Sequence, residues 1–336
     1  MKRDSRDSRS KRRSAPASAV SRSSRVRRLL VLADGRKEDV HALVRELEPF
    51  LAGRVDEVRV ERDVRAFYKA RTSRAKSAAA QFQPDALLVL GGDGAILAAV
   101  RAFSDAPVPT LGINFGRVGF LASAESGHWR EALEELLTGR SVREPRMRLE
   151  AHFVGTDGEG VRAVALNDVV LTRGAFQGML TLSLKVGGDW LTKYRADGLI
   201  VATPSGSTAY SLAAGGPLVA PSIEGVVVTP ICPQALSHRA IVLGATEELE
   251  VVVEEASGVT TLVVDGQGFF QMQQGDRVRL RRHPVPWPLL ARPGVDPYRR
   301  WRERLGWRGS VEADAFPSRD LDQRADEDSD DHGGSV

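Results

Sequence analysis

Apolar and polar positions follow one pattern in the first half of this chain and a different one in the second half. Up to about residue 145, short apolar runs alternate with segments in which apolar residues recur at every third or fourth position. The short runs predict buried strands, and the spaced segments predict amphipathic helices. Strands are predicted at 28–34, 57–60, 85–90 and 109–113, and helices at 40–51, near 75–82, at 96–103 and at 129–137. This alternation predicts a parallel sheet covered by helices on both faces.

From about residue 146 the runs are short, rich in Val, Leu and Thr, and separated by glycines. Many alternate apolar with charged residues, as in 277–281 (RVRLR), which is typical of antiparallel sheets. The predicted strands are 148–154, 161–171, 180–186, 225–229, 249–254, 260–264 and 277–281. We therefore predict an α/β plus all-β protein, with an N-terminal Rossmann-like α/β domain built on a parallel sheet and a C-terminal domain like an antiparallel β-sandwich.

The charges of the 336-residue chain are concentrated at its two ends. Residues 1–28 carry +9 and residues 308–336 carry −6, so residues 29–307 have no net charge and the total is +3. Both ends lack apolar periodicity and cannot bury enough surface to offset the entropy of ordering. The predicted organisation is a disordered basic tail (1–28), an α/β domain (29–145), a β-rich domain (146–295), a segment that returns to the core (296–307) and a disordered acidic tail (308–336).

The composition excludes several classes of protein. A single cysteine, Cys232, excludes an intramolecular disulfide framework and a zinc cluster made of thiolates. No apolar run reaches the roughly 18–20 residues of a membrane-spanning helix, and no secretory leader opens the chain. We therefore expect a cytoplasmic protein without a membrane partner. Residues 29–307 have no net charge and give no support for nucleic acid as the main partner. The Arg-rich start is interpreted as a solvated tail, with a nucleic-acid arm or an organelle transit peptide as the alternatives.

The segment Gly91–Gly94 (GGDG) lies between a predicted buried strand and a predicted helix. Ligands of open α/β sheets bind at the carboxyl ends of the strands. Glycines let backbone N–H groups approach a phosphate, and a helix N-terminus attracts anions. The segment is neither a P-loop nor a Rossmann fingerprint. A carboxylate in a phosphate-binding turn repels the anion unless it binds a metal or accepts a proton, so Asp93 favours phosphoryl chemistry over the alternative, an ordinary Asp-Gly turn.

A second candidate is Thr203–Tyr210 (TPSGSTAY), which places four hydroxyl residues within six positions before a short helical pattern. Hydroxyls and free N–H groups at a helix start could bind a polyanion or a ribose. The alternative is a simple N-cap, which needs one hydroxyl.

Three acidic positions give weaker signals. Asn167-Asp168 lies in the middle of a predicted Val/Leu strand, where polar residues are costly unless they are hydrogen-bonded. Asp197-Gly198 and Asp265-Gly266, taken alone, predict hairpin turns. No pair of histidines has metal-ligand spacing, so the sequence predicts no metal-binding residues.

Taken together, these segments resemble the NAD kinases in order and spacing. GGDG alone is also found in diacylglycerol and sphingosine kinases, but the long block around TPSGSTAY is absent from those lipid kinases. The resemblance covers about 29–307 and rests on the segments 91–97 (GGDGAIL), 111–122 (LGINFGRVGFLA), 165–174 (ALNDVVLTRG), 194–221 (YRADGLIVATPSGSTAYSLAAGGPLVAP), 229–233 (TPICP), 263–267 (VVDGQ) and 304–307 (RLGW).

The resemblance implies transfer of the γ-phosphoryl group of ATP to the 2′-hydroxyl of the adenosine ribose of NAD, with Asp93 as catalytic acceptor of the hydroxyl proton. It also implies that Arg195 accompanies a preference for NAD over NADH. The residues implied to bind the nucleotide are Gly92, Asp93, Gly94, Asn167, Asp168, Arg195, Asp197, Thr208, Ala209, Tyr210, Ser211 and Gln267.

Further expectations follow from the same resemblance. Mg²⁺, or another divalent cation, would be bound mainly through the ATP phosphates, and polyphosphate is an alternative donor. The chain would form a homo-oligomer, a dimer or a tetramer, through its β domain, with sites shared between subunits. NAD and ATP would be its partners.

Other functions remain open at the sequence level. A lipid or sphingoid kinase could share GGDG, and it would need an apolar acceptor pocket. A non-catalytic NAD(P)-binding sensor would have lost the catalytic acid, whereas Asp93 is present. A nucleic-acid-binding protein rests only on the N-terminal arginines.

Overall fold

The computed structural model describes residues 26–34, 37–72, 82–116, 119–156, 158, 160–174, 178–296 and 298–307. The two predicted tails, apart from residues 26–28, lie outside the described residues, as does most of the helix predicted near 75–82. Among the described helices, none is long and apolar enough to cross a membrane.

The first sheet has seven strands: β1 (Arg28–Ala33), β2 (Glu57–Glu61), β3 (Ala86–Leu90), β4 (Thr110–Asn114), β5 (Ala124–Glu125), β6 (Val142–Arg146) and β19 (Trp287–Ala291). The strand order is β2-β1-β3-β4-β19-β6, and β5 also pairs with β4. All pairs are parallel except β19 with β6. The predicted parallel sheet is therefore confirmed.

Helices cover both faces of this sheet, as its apolar strands require. On one face, Leu29 and Val31 pack with residues of α1 (Glu38–Leu51) and α4 (Trp129–Leu137). On the other face, Leu30 and Val89 pack with residues of α2 (Val64–Thr72) and α3 (Asp93–Ala102). Every residue of β3 is buried, so the strand that leads to GGDG is held rigidly on both sides.

Two six-stranded antiparallel sheets form the second half of the fold. Their facing residues, such as Leu182 and Val251 in one sheet and Leu171 and Val201 in the other, form a single core. The predicted antiparallel β-sandwich is therefore confirmed. One sheet has the order β11-β10-β15-β18-β7-β8 and the other β14-β13-β12-β9-β16-β17. The strands are β7 (Leu149–Val154), β8 (Gly160–Ala165), β9 (Asp168–Thr172), β10 (Leu180–Val186), β11 (Asp189–Ala196), β12 (Gly198–Ala202), β13 (Gly225–Ile231), β14 (Ile241–Gly244), β15 (Leu249–Glu255), β16 (Thr260–Val264), β17 (Gly268–Met272) and β18 (Arg277–Arg282).

Two local predictions for this half are wrong. The strand predicted at 161–171 is two strands, because the chain leaves one sheet after β8 and enters the other at β9. Leu166 and Asn167 make the crossing, so polar Asn167 does not interrupt a strand. Asp197-Gly198 is not a hairpin turn either, because β11 and β12 belong to different sheets.

The chain returns to the first sheet at β19, earlier than the predicted returning segment 296–307, and then forms the short helix α6 (Arg299–Leu305). A buried arginine, Arg148, joins the two halves. Its guanidinium donates to the backbone oxygens of Ser104, at 2.7 Å, and Val285, at 2.8 Å. Burial lowers the pKa of Arg148 to about 10. Because Ser104 follows α3, this contact fixes the sandwich against the helix that begins at Asp93.

Candidate active site

Asp93 is the first residue of α3 and follows the turn at the carboxyl end of β3. Its carboxylate accepts three backbone N–H groups from the segment after β4: Oδ2 from Phe120 at 2.8 Å, and Oδ1 from Leu121 at 3.1 Å and Ala122 at 3.4 Å. A carboxylate offers about four lone-pair positions. Oδ2, which accepts one N–H group, therefore retains a position for a substrate hydroxyl.

The approach of this segment to Asp93 requires glycine at position 119. A Cβ built on Gly119 would lie 1.9 Å from Oδ1 of Asp93. No side chain fits at that distance. Gly119 therefore allows the three N–H groups to reach the carboxylate, which is why a glycine is needed at this position of the segment 111–122.

Asn167 and Asp168 are positioned by the carboxylate of Asp265. That carboxylate accepts the N–H groups of Leu166 at 2.8 Å, Asn167 at 2.7 Å and Asp168 at 3.1 Å. Asp265 has a positive φ of 49°, a conformation that Asp tolerates better than most residues. It does lie in the predicted turn, between β16 and β17, but its larger role is to fix the crossing where the polar pair stands.

Asp168 is buried, at 5% exposure. Burial, together with the nearby Asp265 carboxylate, raises the pKa of Asp168 to about 7. Burial also raises the pKa of Asp265 to about 6, while its three backbone N–H donors act in the opposite direction. The three N–H groups thus stabilise the Asp265 anion, whereas burial beside that carboxylate favours the protonated form of Asp168.

The TPSGST segment folds by using its own hydroxyls. Thr203 donates to the Leu166 oxygen at 2.6 Å and accepts from the Gly206 N–H at 3.1 Å. Ser207 donates to the Pro204 oxygen at 2.7 Å and accepts from the Val219 N–H at 3.0 Å. The alternative, a simple N-cap, is not observed: Ser205, which precedes the 3₁₀ turn Gly206–Thr208, and Ala209, which precedes the short α5 (Tyr210–Ala213), make no side-chain cap hydrogen bond.

This segment packs directly on the crossing that carries Asn167. A Cβ on Gly206 would lie 2.0 Å from the Asn167 backbone oxygen, so position 206 admits only glycine. The same oxygen accepts the Thr203 N–H at 2.8 Å. The two candidate segments of the sequence therefore form one unit.

The predicted nucleotide-binding residues 208–211 differ in accessibility. Thr208 and Ala209 are half-buried, and Tyr210 is 48% exposed. Ser211 is fully buried, and its hydroxyl lies 2.8 Å from that of Thr229. Thr208 and Tyr210 can face a ligand, whereas Ser211 holds α5 on β13.

Gln267 links this unit to GGDG. Its Nε2 donates to the Gly94 backbone oxygen at 3.2 Å. Asn167 has a buried Oδ1 with no hydrogen-bond partner among the described residues. Since an unpaired buried acceptor is costly, Asn167 is suited to receive a donor from a ligand. Gly92, Asp93 and Gly94 thus stand beside Asn167, Asp168 and Gln267 in one region.

Arg195 and Asp197 lie elsewhere in the same chain. On the neighbouring strands, Ala202 pairs with Asp168 and Gly198 pairs with Thr172. Asp197 directly precedes Gly198, at the end of β12 that is farther from Asp168. At about 3.3 Å per residue, Asp197 is roughly 16 Å along the strand from Ala202, the partner of Asp168. Asp197 accepts from Arg173 Nε at 3.0 Å, and Arg195 is exposed.

Sequence reasoning missed three parts of the site. It assigned no role to the backbone of 120–122 or to Asp265, although both lie in segments it had singled out. It also missed Arg300 of α6, whose Nη1 donates to the Phe120 backbone oxygen at 3.2 Å. Only the Asp-Gly pairs carried a signal that could have drawn attention to Asp265.

Among the described residues, no group of three or more His, Cys, Asp or Glu side chains is arranged to hold a metal ion. In nucleotide sites, Mg²⁺ is commonly bound largely through substrate phosphates and water.

Two family models match the chain. The model described as ATP-NAD kinase N-terminal domain matches residues 13–141, and the model described as ATP-NAD kinase C-terminal domain matches residues 166–290. The chain is 41% identical to an NAD kinase of Gemmatimonas aurantiaca, over 67% of this chain and 78% of the relative. It is 45% identical to an NAD kinase of Symbiobacterium thermophilum, over 66% of this chain and 78% of the relative.

Solved structures resemble the whole fold. A yeast NADH kinase in complex with NADH superimposes with a TM-score of 0.75 at 25% identity, covering 86% of this chain and 89% of the other. An NAD kinase from Archaeoglobus fulgidus in complex with ATP superimposes with a TM-score of 0.63 at 24% identity, covering 83% and 97%. The second likeness supports the fold alone.

Proposed function

The chain belongs to the NAD kinase family of phosphotransferases, and we propose that it transfers the γ-phosphoryl group of ATP to the 2′-hydroxyl of the adenosine ribose of NAD. The products would be NADP and ADP, so the protein would supply NADP biosynthesis. The observation that carries the proposal is the carboxylate of Asp93, held by three N–H groups at the carboxyl end of β3 with one lone-pair position open.

Asp93 has the geometry of the proton acceptor. In the proposed reaction the ribose oxygen forms a bond to the γ-phosphorus, and the bond from that phosphorus to the oxygen bridging to the β-phosphate breaks. The hydroxyl proton passes to Oδ2 of Asp93. The transition state of phosphoryl transfer is loose, so positioning contributes more than proton removal. The fixed carboxylate supplies that positioning.

The unit of Asn167, Asp168 and Gln267 is the proposed holder of the dinucleotide. The free Oδ1 of Asn167 accepts hydrogen bonds, and Asp168 either donates or accepts because its pKa is raised to about 7. Hydroxyl groups of a ribose both donate and accept, so this pair is matched to a sugar. Gln267 places the pair next to Gly94.

We assign the divalent cation, Mg²⁺ in the simplest case, mainly to the donor phosphates, because the open position of the Asp93 carboxylate is assigned to the ribose hydroxyl. When bound, such a cation neutralises charge that develops on the phosphate oxygens. The lack of a three-residue metal cluster among the described residues is compatible with a cation that arrives with its nucleotide.

We further propose a homo-oligomer in which Arg195 and Asp197 complete the site of another copy. Within one chain they stand at the far end of β12, away from Asp168. The adjoining edge strand β11 exposes two large apolar residues, Trp190 at 63% and Leu191 at 43%. Exposed apolar residues on an edge strand are typical of an interface.

The proposed acceptor is NAD rather than NADH, since Arg195 is present. We assign the reaction to the cytoplasm because both substrates are intracellular metabolites. The lipid-kinase alternative lacks support, since the groups around Asp93 are polar: Asn167, Asp168 and Gln267. The sensor alternative is disfavoured by the presence and geometry of Asp93.

The test is an incubation of the purified protein with NAD, ATP and Mg²⁺, with NADP detected by an NADP-specific dehydrogenase. We expect NADP to form in proportion to enzyme and to require both substrates. Absence of NADP with the wild-type chain would refute the proposal. Parallel reactions with polyphosphate in place of ATP, with NADH in place of NAD, and with labelled ATP plus diacylglycerol decide the donor, the acceptor and the lipid alternative.

A further inference from the structure

The buried Arg146 and the largely buried Arg300 lie near Phe120 and Leu121, whose N–H groups bind Asp93, and neither has a role in the acceptor site. Arg300 of α6 donates a hydrogen bond to the backbone oxygen of Phe120, and the backbone N–H of Phe120 donates to the carboxylate of Asp93. The side chain of Arg300 is 15% exposed and that of Arg146, at the end of β6, is 7% exposed. One residue, Phe120, thus separates a buried guanidinium from the catalytic carboxylate.

The two arginines are short of direct anionic partners. Both contact the same carboxylate, Glu144: Arg146 through a hydrogen bond, and Arg300 Nη1 at 3.9 Å. The Nε of Arg146 is buried and has no hydrogen-bond partner among the described residues. Burial and the neighbouring Arg146 lower the pKa of Arg300, against the opposing effect of Glu144 and Asp93. A buried cation without enough partners is costly, and an anionic ligand would remove that cost.

A cavity opens between these arginines and the TPSGST segment. A small space of about 30 Å³ is lined by Phe120, Leu121, Arg146, Ser205, Thr208 and Arg300. Arg146, Arg300 and Trp301 also line an adjoining cleft of about 650 Å³, which has apolar walls at Pro221 and Ile223. The small space is too narrow for a base or a sugar, whereas the cleft has the volume of a typical small-molecule site.

We propose that Arg146 and Arg300 bind the phosphoanhydride chain of the phosphoryl donor and that the adjoining cleft admits the rest of the donor. The residues proposed to bind NAD contact the GGDG turn through the hydrogen bond from Gln267 to Gly94. Arg300 instead contacts Phe120, whose N–H binds the Asp93 carboxylate. The two substrates therefore approach Asp93 along different sets of residues. Guanidinium groups match phosphate oxygens with paired hydrogen bonds, and this inference rests on the proposed function for the identity of the anion.

The experiment compares Arg300→Met, Arg146→Met and Arg300→Lys with the control Arg299→Met, an exposed arginine of the same helix that pairs with Glu303. We expect Arg300→Met and Arg146→Met each to raise KM for ATP at least about tenfold, the loss of one charged hydrogen bond, while KM for NAD changes less than about twofold. Arg300→Lys should recover part of the loss, and the control should match the wild type. Equal increases in both KM values would show a structural role and overturn the proposal.

A binding measurement separates this inference from the proposed reaction. Calorimetric titration of the wild-type chain with inorganic tripolyphosphate should show binding that Arg146→Met and Arg300→Met lose and Arg299→Met retains. Unchanged tripolyphosphate binding in both methionine variants would overturn the proposal, even if NADP formation is established. Conversely, failure of the wild type to form NADP would refute the kinase proposal and leave this titration as an independent test of the anion site. If polyphosphate also acts as a donor, a KM effect with ATP but not with polyphosphate would contradict a contact with the phosphoanhydride chain.

Discussion

The two ends of strand β12 differ in how completely the polar groups around them are hydrogen-bonded within the chain. At the Ala202 end, the carboxylates of Asp265 and Asp93 each accept three backbone N–H groups, and the hydroxyls of Thr203 and Ser207 are hydrogen-bonded within the chain. At the Gly198 end, Asp197 pairs with half-exposed Arg173, and Arg195 is exposed. Internal hydrogen bonds fix one end, whereas the other faces outward.

The difference indicates which groups one chain can pre-organise for chemistry. Asp93 and the Asn167–Asp168 crossing need no ligand to hold their geometry, as a catalytic centre requires. Asp197 has only the partly exposed Arg173 as its partner, and the exposed Arg195 gains a defined partner only when something covers that surface. We therefore expect substitutions at the first end to act within each chain, and substitutions at the second end to act between chains.

The largest effect should come from Asp93→Asn. The proton acceptor is lost, and the amide presents a donor to N–H groups that need an acceptor, so kcat should fall by about 10²- to 10⁴-fold. Initial rates of NADP formation measure the effect, and calorimetric NAD binding with a thermal melt shows whether the chain is still folded. A variant that retains most of its rate would remove Asp93 from the proposed role.

Mixing two inactive variants tests whether the far end of β12 acts between chains. Asp93→Asn and Asp197→Asn should each have low activity alone. Refolded together in equal amounts they should recover about a quarter of the wild-type rate, because half of randomly assorted dimers then contain one intact site of two. Light scattering gives the oligomeric state, and Trp190→Glu should abolish both oligomer and recovery. No recovery from a mixture that does form oligomers would place Asp197 outside a shared site.

Asp265→Ala tests the near end of the strand, and Asp276→Ala is its matched control. Asp276 is also buried and accepts two N–H groups, from Thr156 and Gln273, each at 2.8 Å. Unsatisfied N–H groups cost about 1–3 kcal/mol each, so both variants should unfold at lower denaturant concentration. Only Asp265→Ala should also raise KM for NAD, by about tenfold, because it alone releases Asn167 and Asp168. A similar KM increase in Asp276→Ala would indicate a nonspecific effect of stability.

The last expected effect is on folding stability alone and concerns its dependence on pH at Asp168. Its pKa is raised in the folded chain to about 7, so its neutral form contributes stability that is complete below about pH 4 and is lost as the pH rises through 7. Asp168→Asn should therefore be more stable than the wild type at pH 8, by up to about 4 kcal/mol, and the gain should shrink toward pH 5. Chemical denaturation at several pH values measures it, with exposed Asp189→Asn as the control. A gain that does not vary with pH would contradict the assigned pKa.

The layered architecture could be predicted from the sequence because burial imposes periodicity. The fully buried β3 is visible as an apolar run, and β18 as a strict alternation of Arg with Val and Leu. The crossing at Leu166-Asn167 could not be predicted, since Ala165 and Val169 on either side have the same pattern in two different sheets. Because both strands alternate with a period of two, the position where the chain changes sheet cannot be seen in that pattern.

The candidate site likewise has a part that could be predicted from the sequence and a part that could not. Asp93 was found because an acid in a glycine turn is chemically unusual. The N–H groups of 120–122 carry no residue identity, and Arg300 is one arginine among many until the fold brings α6 to Phe120. Long-range positioning of backbone and of common side chains is the part that local sequence patterns do not encode.

The return of β19 to the first sheet has a consequence for how the protein is made. During synthesis the N-terminal half leaves the ribosome first, yet the strand between β4 and β6 is supplied by Trp287–Ala291, and Trp287 is completely buried. The first sheet is therefore finished only after the whole sandwich has been translated. The two domains are therefore not separable pieces, because the sheet that carries the GGDG turn is complete only when the chain has been made as far as Ala291.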